Sequence, residues 1–252
     1  MDIKKLVEAH EKIKEILGES IEPFESVRLV QEYRDYWKPS KVKIILLAES
    51  HVFTSDEERN IQTERRETLP GYPSQYARFV YCLAYGEKSL KQGDASTKRD
   101  DGTPQFWKLF YACNNPGVTG LGDFYPVRKT NTPDEERIQA KIGLLNDLKK
   151  KGVWLVDTSI VALYPKDSKI RGLVEKVVKA SWDAFTRDVV CACKPEQVIC
   201  IGKGLEHAIG EDLKKLVSKV TVIYQPNARL RSEEAIKDFK TCGDIVSKQV
   251  NG

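Results

Sequence analysis

An α/β fold built on a parallel sheet covered on both faces is what this 252-residue sequence predicts. Three observations lead to it. Four short apolar runs, "VKIILLA", "VWLVDTSIV", "QVICIG" and "KVTVIYQPN", have the length and near-continuous hydrophobicity of strands buried on both faces. From the second strand onward, helical patterns alternate with them, as in units whose strands run parallel. Each run also ends in residues able to do chemistry, and ligands of such sheets bind beyond the carboxyl ends of the strands.

Taken in chain order, the first element is a helix. Ile3, Leu6, Val7, Ile13, Ile16 and Leu17 recur at helical spacing and Gly18 follows as a cap. It opens an N-terminal helical extension over about residues 1–40 that packs against the body of a single domain spanning 1–252. Residues 42–48 form the first strand and end at Glu49, Ser50 and His51. The stretch from 52 to 130 is rich in charge, Gly and Pro, with residues 91–104 as a surface loop. Within it "YPSQYARFVYCLAYG" and "PQFWKLFYACN" read as helices whose aromatics fill the core.

Thr132, Pro133 and Glu135 then suggest a capping threonine, a proline at the first helical position and a glutamate three residues on. That helix runs to about Lys150 and Gly152 ends it. The second strand ends at Asp157. A long helix over about 171–192 turns Leu173, Val177, Val178, Phe185 and Val189 inward. The third strand ends at Gly202-Lys203-Gly204, a further helix starts at "LEHAIG", and Pro226 breaks the fourth strand beside Gln225 and Asn227. No internal repeat is visible.

Composition narrows the classes. With 40% hydrophobic and 31% charged residues the chain is an ordinary globular one, so disorder is excluded as the default. The net charge of +4 permits a nucleic-acid partner without requiring one. No run approaches the roughly 20 apolar residues of a membrane span, and the amphipathic N-terminus is not a signal peptide, so a cytoplasmic protein without a membrane partner is expected. The six cysteines, Cys82, Cys113, Cys191, Cys193, Cys200 and Cys242, form no CxxC pair and read as free thiols rather than as metal or iron–sulfur ligands.

Three chemistries could use residues of this kind at the strand ends. Ser50 and His51 are neighbours on an extended segment, so their side chains point to opposite faces and cannot act as nucleophile and base. Glu49 and His51 could share a face, with Asp157 as a third metal ligand, but with three histidines in the chain such a site would lean on carboxylates, and no metal is expected. "IGKGLEH" lacks the third glycine of a dinucleotide fingerprint and the ending of a P-loop, so it reads as a tight turn; its exposed amides and Lys203 could still touch a phosphate.

In their order and spacing the four strand ends resemble the uracil-DNA glycosylase superfamily. "LLAESHVF" falls where that family carries its water-activating motif, and "VWLVDTSIVAL" resembles its base-recognition strand. "SWDAFTRDVVCACKPEQVICIG" is similar to its next helix and strand, and "YQPNARL" stands in the place of its His-Pro-Ser motif. The likeness is best over residues 144–240, and residues 60–130 have no counterpart. It implies a three-layer α/β/α fold with a four-stranded parallel sheet, and a monomeric protein that removes a damaged or deaminated base from DNA, duplex or single-stranded, without a cofactor. The base must be extruded from the stack and its edge held while a cationic sugar and an anionic leaving base are stabilised.

The departures from the family alter what is expected of each residue. Ser50 stands where the family has Asp or Asn, which leaves Glu49, similar to the glutamate of a "GEAPG" motif, or His51 to activate water or stabilise the sugar cation. Gln225 replaces the histidine of His-Pro-Ser and retains an amide donor for the leaving base. Asn227, Arg229 and Lys203 are candidates for holding phosphates. Asp157 replaces the asparagine that reads uracil; as a carboxylate it accepts only, so an altered base preference is expected. Phe53 is the candidate for stacking on the base. A catalytically silent nucleic-acid or nucleotide binding protein on the same fold, and a hydrolase of small N-glycosides, are the other readings.

Overall fold

A computed structural model describes residues 2–64, 67–93, 102–129, 132–164, 170–226, 228 and 232–251. The four apolar runs are strands: Ile44–Ala48 (β1), Val153–Asp157 (β2), Gln197–Ile201 (β3) and Val220–Ile223 (β4). They form one all-parallel sheet in the order β2-β1-β3-β4. β1 lies between two neighbours, with Leu46 opposite both Leu155 and Ile199. All five of its residues are buried, which explains a run without the polar alternation of a half-exposed strand. The register also sets Ala48 beside Asp157, so β1 and β2 end side by side.

Helices cover both faces in a three-layer α/β/α arrangement. They are Ile3–Leu17 (α1), Phe24–Tyr36 (α2), the single turn Asp56–Arg59 (α3), Pro104–Asn114 (α4), Asp134–Lys151 (α5), Val174–Ser181 (α6), Arg187–Cys193 (α7), Lys203–Leu216 (α8) and Ser232–Asn251 (α9). Gly18 caps α1 with positive φ, but Ile3 and Val7 are exposed, and Leu6, Ala9, His10 and Ile13 form its inner face instead. Gly152 closes α5 in the left-handed region, and a side chain there would meet the Lys41 carbonyl at 2.8 Å. The first helices belong to the body of the molecule: the Trp154 indole of β2 donates to the Arg34 carbonyl of α2 at 2.9 Å. No helix among the described residues is long and apolar enough to cross a membrane.

Two local expectations are corrected, a third is refined, and one further helix joins them. Residues 72–86 are turns rather than a helix. Their aromatics are core, but the backbone is satisfied from afar: Tyr72 Oη donates to the Tyr81 carbonyl at 2.6 Å and accepts from Leu83 N at 2.8 Å, and Thr54 Oγ1 accepts from Arg78 N at 2.9 Å. Thr132 does not cap α5; its hydroxyl donates to the Tyr125 carbonyl at 2.8 Å and Pro133 occupies the cap position. The helix expected over 171–192 is present as one continuous helical run that carries a π-helical stretch, Trp182–Thr186. This wider turn buries Trp182, Phe185 and Thr186 together and lets Thr186 Oγ1 donate to the Thr158 carbonyl beyond β2 at 2.8 Å. The last helix, α9, was not foreseen; Gly243 lets it approach α4 so closely that a Cβ would stand 2.7 Å from the Ala112 carbonyl. Most of the expected 91–104 loop lies outside the described residues.

Candidate active site at the carboxyl edge of the sheet

Beyond β1 the chain stays tied to β2. Thr158 N donates to the Ala48 carbonyl at 2.7 Å and Ser159 N to the Glu49 carbonyl at 2.9 Å. With its backbone held in this way, Glu49 is half-buried and its carboxylate turns toward the other end of the sheet. Its Oε2 accepts from Gln225 Nε2, just past β4, at 3.1 Å and from the Tyr164 hydroxyl at 3.1 Å. Oε1 has no partner among the described residues. A carboxylate with one oxygen anchored and one open can accept a proton or a hydrogen bond from a molecule arriving at this edge.

Gly202 makes room for Gln225. Its φ is +119°, and a Cβ there would meet Gln225 Cγ at 3.1 Å. Beside it Lys203 starts α8, with its ammonium 4.9 Å from the ring centroid of the exposed Tyr224. Tyr224 N in turn donates to Asp238 on α9 at 2.9 Å, and burial raises the Asp238 carboxyl above its ordinary range. Ser50 and Phe53 are both half-buried on the segment after Glu49.

Beneath this edge lies a second constellation, and it is closed. His51 is buried with both ring nitrogens facing carboxylates: Nε2 is 2.7 Å from Glu22 Oε2, and Nδ1 is 3.4 Å from Asp157 Oδ2. Arg34 Nη2 reaches the same Asp157 oxygen at 2.9 Å, and its guanidinium lies 5.3 Å from the Phe79 ring centroid. Glu22 also receives Thr54 N and Ala162 N, each at 2.9 Å. Two anions and two cations thus neutralise one another, each buried charge paired and hydrogen-bonded.

Burial opposes the charge on His51, but the charge of Glu22 and the contacts of both carboxylates outweigh it and lift the imidazole to about 9. A ring that is protonated on both nitrogens, with Nε2 hydrogen-bonded to Glu22 and Nδ1 facing Asp157 at 3.4 Å, has no lone pair with which to accept a proton. His51 is therefore placed to hold Glu22 and Asp157 in position rather than to act as a base.

The strand-end residues consequently divide into two groups. Glu49 and Gln225 meet at the open edge. His51 and Asp157 meet below it, in contact with Arg34 and Glu22, and the trio Glu49, His51 and Asp157 does not converge as a ligand set would; among the described residues no group of three or more such side chains is arranged to hold a metal ion. Asn227 and Arg229 lie outside the described residues.

Glu22, Arg34 and Tyr164 escaped sequence reasoning. Glu22 is 29 residues from His51 and Arg34 is 123 residues from Asp157, on an element that carried no motif. Tyr164, 115 residues from Glu49, follows a strand without any pattern of its own. No protein-family model matches the chain, and no curated protein and no solved structure matches it.

Proposed function

We propose that the protein hydrolyses an N-glycosidic bond, releasing a damaged or deaminated base from DNA, with Glu49 as the group that receives the proton of the attacking water. What supports the reading is one arrangement: the Glu49 carboxylate, anchored through Oε2 by Gln225 and Tyr164 and open at Oε1, at the carboxyl edge of a parallel sheet. The negative charge of the same carboxylate stabilises the cationic sugar as the bond breaks. Gln225 uses one amide hydrogen on Glu49 and keeps the other for an oxygen of the leaving base. Ser50 steadies the water, and Phe53 and the exposed ring of Tyr164 flank the extruded base.

Asp157 has a smaller part here than the resemblance implies. Its Oδ2 is committed to Arg34, so it helps to shape the floor of the site, and any contact with the base edge uses the remaining oxygen. Lys203, at the start of α8, faces the backbone phosphates. The fold itself carries no activity with it; the assignment rests on the site.

Single-turnover base release tests the proposal on oligonucleotides that carry uracil, hypoxanthine, xanthine, a 5-substituted uracil or normal cytosine. Release of any of these bases, abolished by Glu49→Gln, is the expected result. A specific observation favours a second reading: an amide at Gln225 stabilises an anionic leaving group less than an imidazole does. Silence across the panel, with DNA binding that weakens steeply as salt rises, would assign the protein to nucleic-acid binding without chemistry.

A further inference from the structure

At the amino end of α4, apart from the strand edge, a cavity of about 340 Å³ is lined in part by Thr103, Trp107, Lys108, Arg128, Lys129 and Lys141. Four of these six residues are cations, and no acidic side chain among the described residues lines the cavity. The lining residue Lys141 is paired with the carboxylate of Glu87, which is fully buried and already divided between Arg137, bound through two nitrogens, and the ammonium of Lys141. Among the described residues, positive charge therefore exceeds negative in the lining of this cavity.

The cations press on one another. Burial, and after it the neighbouring Arg128, lowers the Lys108 ammonium below its ordinary value. Lys141 is also lowered, first by burial; Glu87 acts in the opposite sense, whereas Arg137 and Lys129 add to the lowering.

Neutral donors are left over as well. The Trp107 indole N–H is buried without a hydrogen-bond partner, in a residue that is 2% exposed, and the Lys141 ammonium sits 4.7 Å from the centroid of its ring. The Thr103 hydroxyl is buried without a partner too, and although it stands at the cap of α4 it caps nothing. Buried polar groups in folded proteins nearly always have partners, so the two orphans in the wall of this cationic cavity are donors that an acceptor entering from outside can take up. The wall itself is tightly built: Gly102 has φ +67°, and a Cβ there would meet the Tyr85 carbonyl at 2.9 Å.

We propose that this cavity is a binding site for a phosphoryl group, presented either by a nucleic-acid backbone or by a phosphorylated small molecule. A phosphoryl group carries several acceptor oxygens and up to two negative charges, which matches several cations joined by an indole N–H and a hydroxyl at the amino end of an eleven-residue helix. A carboxylate would leave part of that donor set unused.

Titration calorimetry on the full chain tests this with inorganic phosphate, pyrophosphate and a short single-stranded oligonucleotide. The variants are Lys108→Gln and Arg128→Gln, chosen because neither residue is fully buried. Lys150→Gln, on a side chain that is 78% exposed and outside the cavity lining, serves as the control. Saturable binding is expected, weakened at least about tenfold by each cavity variant, the loss of one charge-assisted hydrogen bond, and unaltered in the control. If pyrophosphate binds and displaces the oligonucleotide, the site takes the phosphoryl group from either source. If only the oligonucleotide binds with that sensitivity, the source is the nucleic-acid backbone. No saturable binding of any probe, or binding that Lys150→Gln weakens as much as the cavity variants do, overturns the proposal. Because none of these readouts involves base release, the result is independent of the role given to Glu49.

Discussion

Between about pH 6.5 and about pH 9 the fold should lose about 3 kcal/mol of stability, and His51 should be the reason. The ring is lifted from its ordinary 6.5 to about 9, and each tenfold change in proton affinity corresponds to about 1.4 kcal/mol. The sign follows from which state holds the proton. Below about 6.5 the ring is charged in both the folded and the unfolded chain, and the full stabilisation by Glu22 and Asp157 is present. As pH rises through the window the folded chain retains a proton that the unfolded chain has released, so stability falls by up to about 1.4 kcal/mol for each pH unit. Above about 9 the ring is neutral in both states and the contribution is gone. Urea denaturation followed by tryptophan fluorescence, at intervals from about pH 6 to about pH 10, measures the slope. His51→Gln supplies the reference, because it carries no proton in this range while the other titrating groups remain. The advantage of the wild type over the variant should be largest at the acid end and shrink toward the alkaline end. A difference that stays constant across the window, or that grows with pH, would refute a protonated His51 between two carboxylates.

The other expected outcomes concern single residues. Glu49→Gln should lower single-turnover base release at least about a hundredfold, the lower end for a proton-accepting group, while DNA affinity measured by fluorescence anisotropy stays near that of the wild type. Gly202→Ala forces a side chain into positive φ and against Gln225, and should cost about 1–3 kcal/mol in chemical denaturation together with part of the base-release rate. Glu87→Gln leaves Lys141 buried without its anion and Arg137 with only the exposed Asp134, and should destabilise by about 3–5 kcal/mol. Adding Lys141→Met should recover part of that loss, and a double-mutant cycle in which the two substitutions simply add would count against a shared buried pair.

The sequence by itself determined the sheet and the edge on which to look. Four apolar runs too short for helices and too continuous for half-exposed strands leave few arrangements other than a parallel sheet between helices, and β1 through β4 follow those runs closely. Glu49, His51, Asp157 and Gln225 were legible as site candidates because strand ends are local features. Tertiary structure alone decided which of them face a visitor. Glu22 and Arg34 close over His51 and Asp157, whereas Tyr164 and Gln225 hold Glu49 at the open edge. No periodicity encodes such pairings, since side chains that meet across 29, 115 or 123 residues are joined by the fold rather than by spacing along the chain. The turns of residues 72–86 arose in the same way: apolar composition suggested a helix, but hydrogen bonds from Tyr72 and Thr54 satisfied the backbone in another shape. Burial is readable from local sequence because it depends on residue type, while the partner of a buried charge depends on what the fold brings next to it.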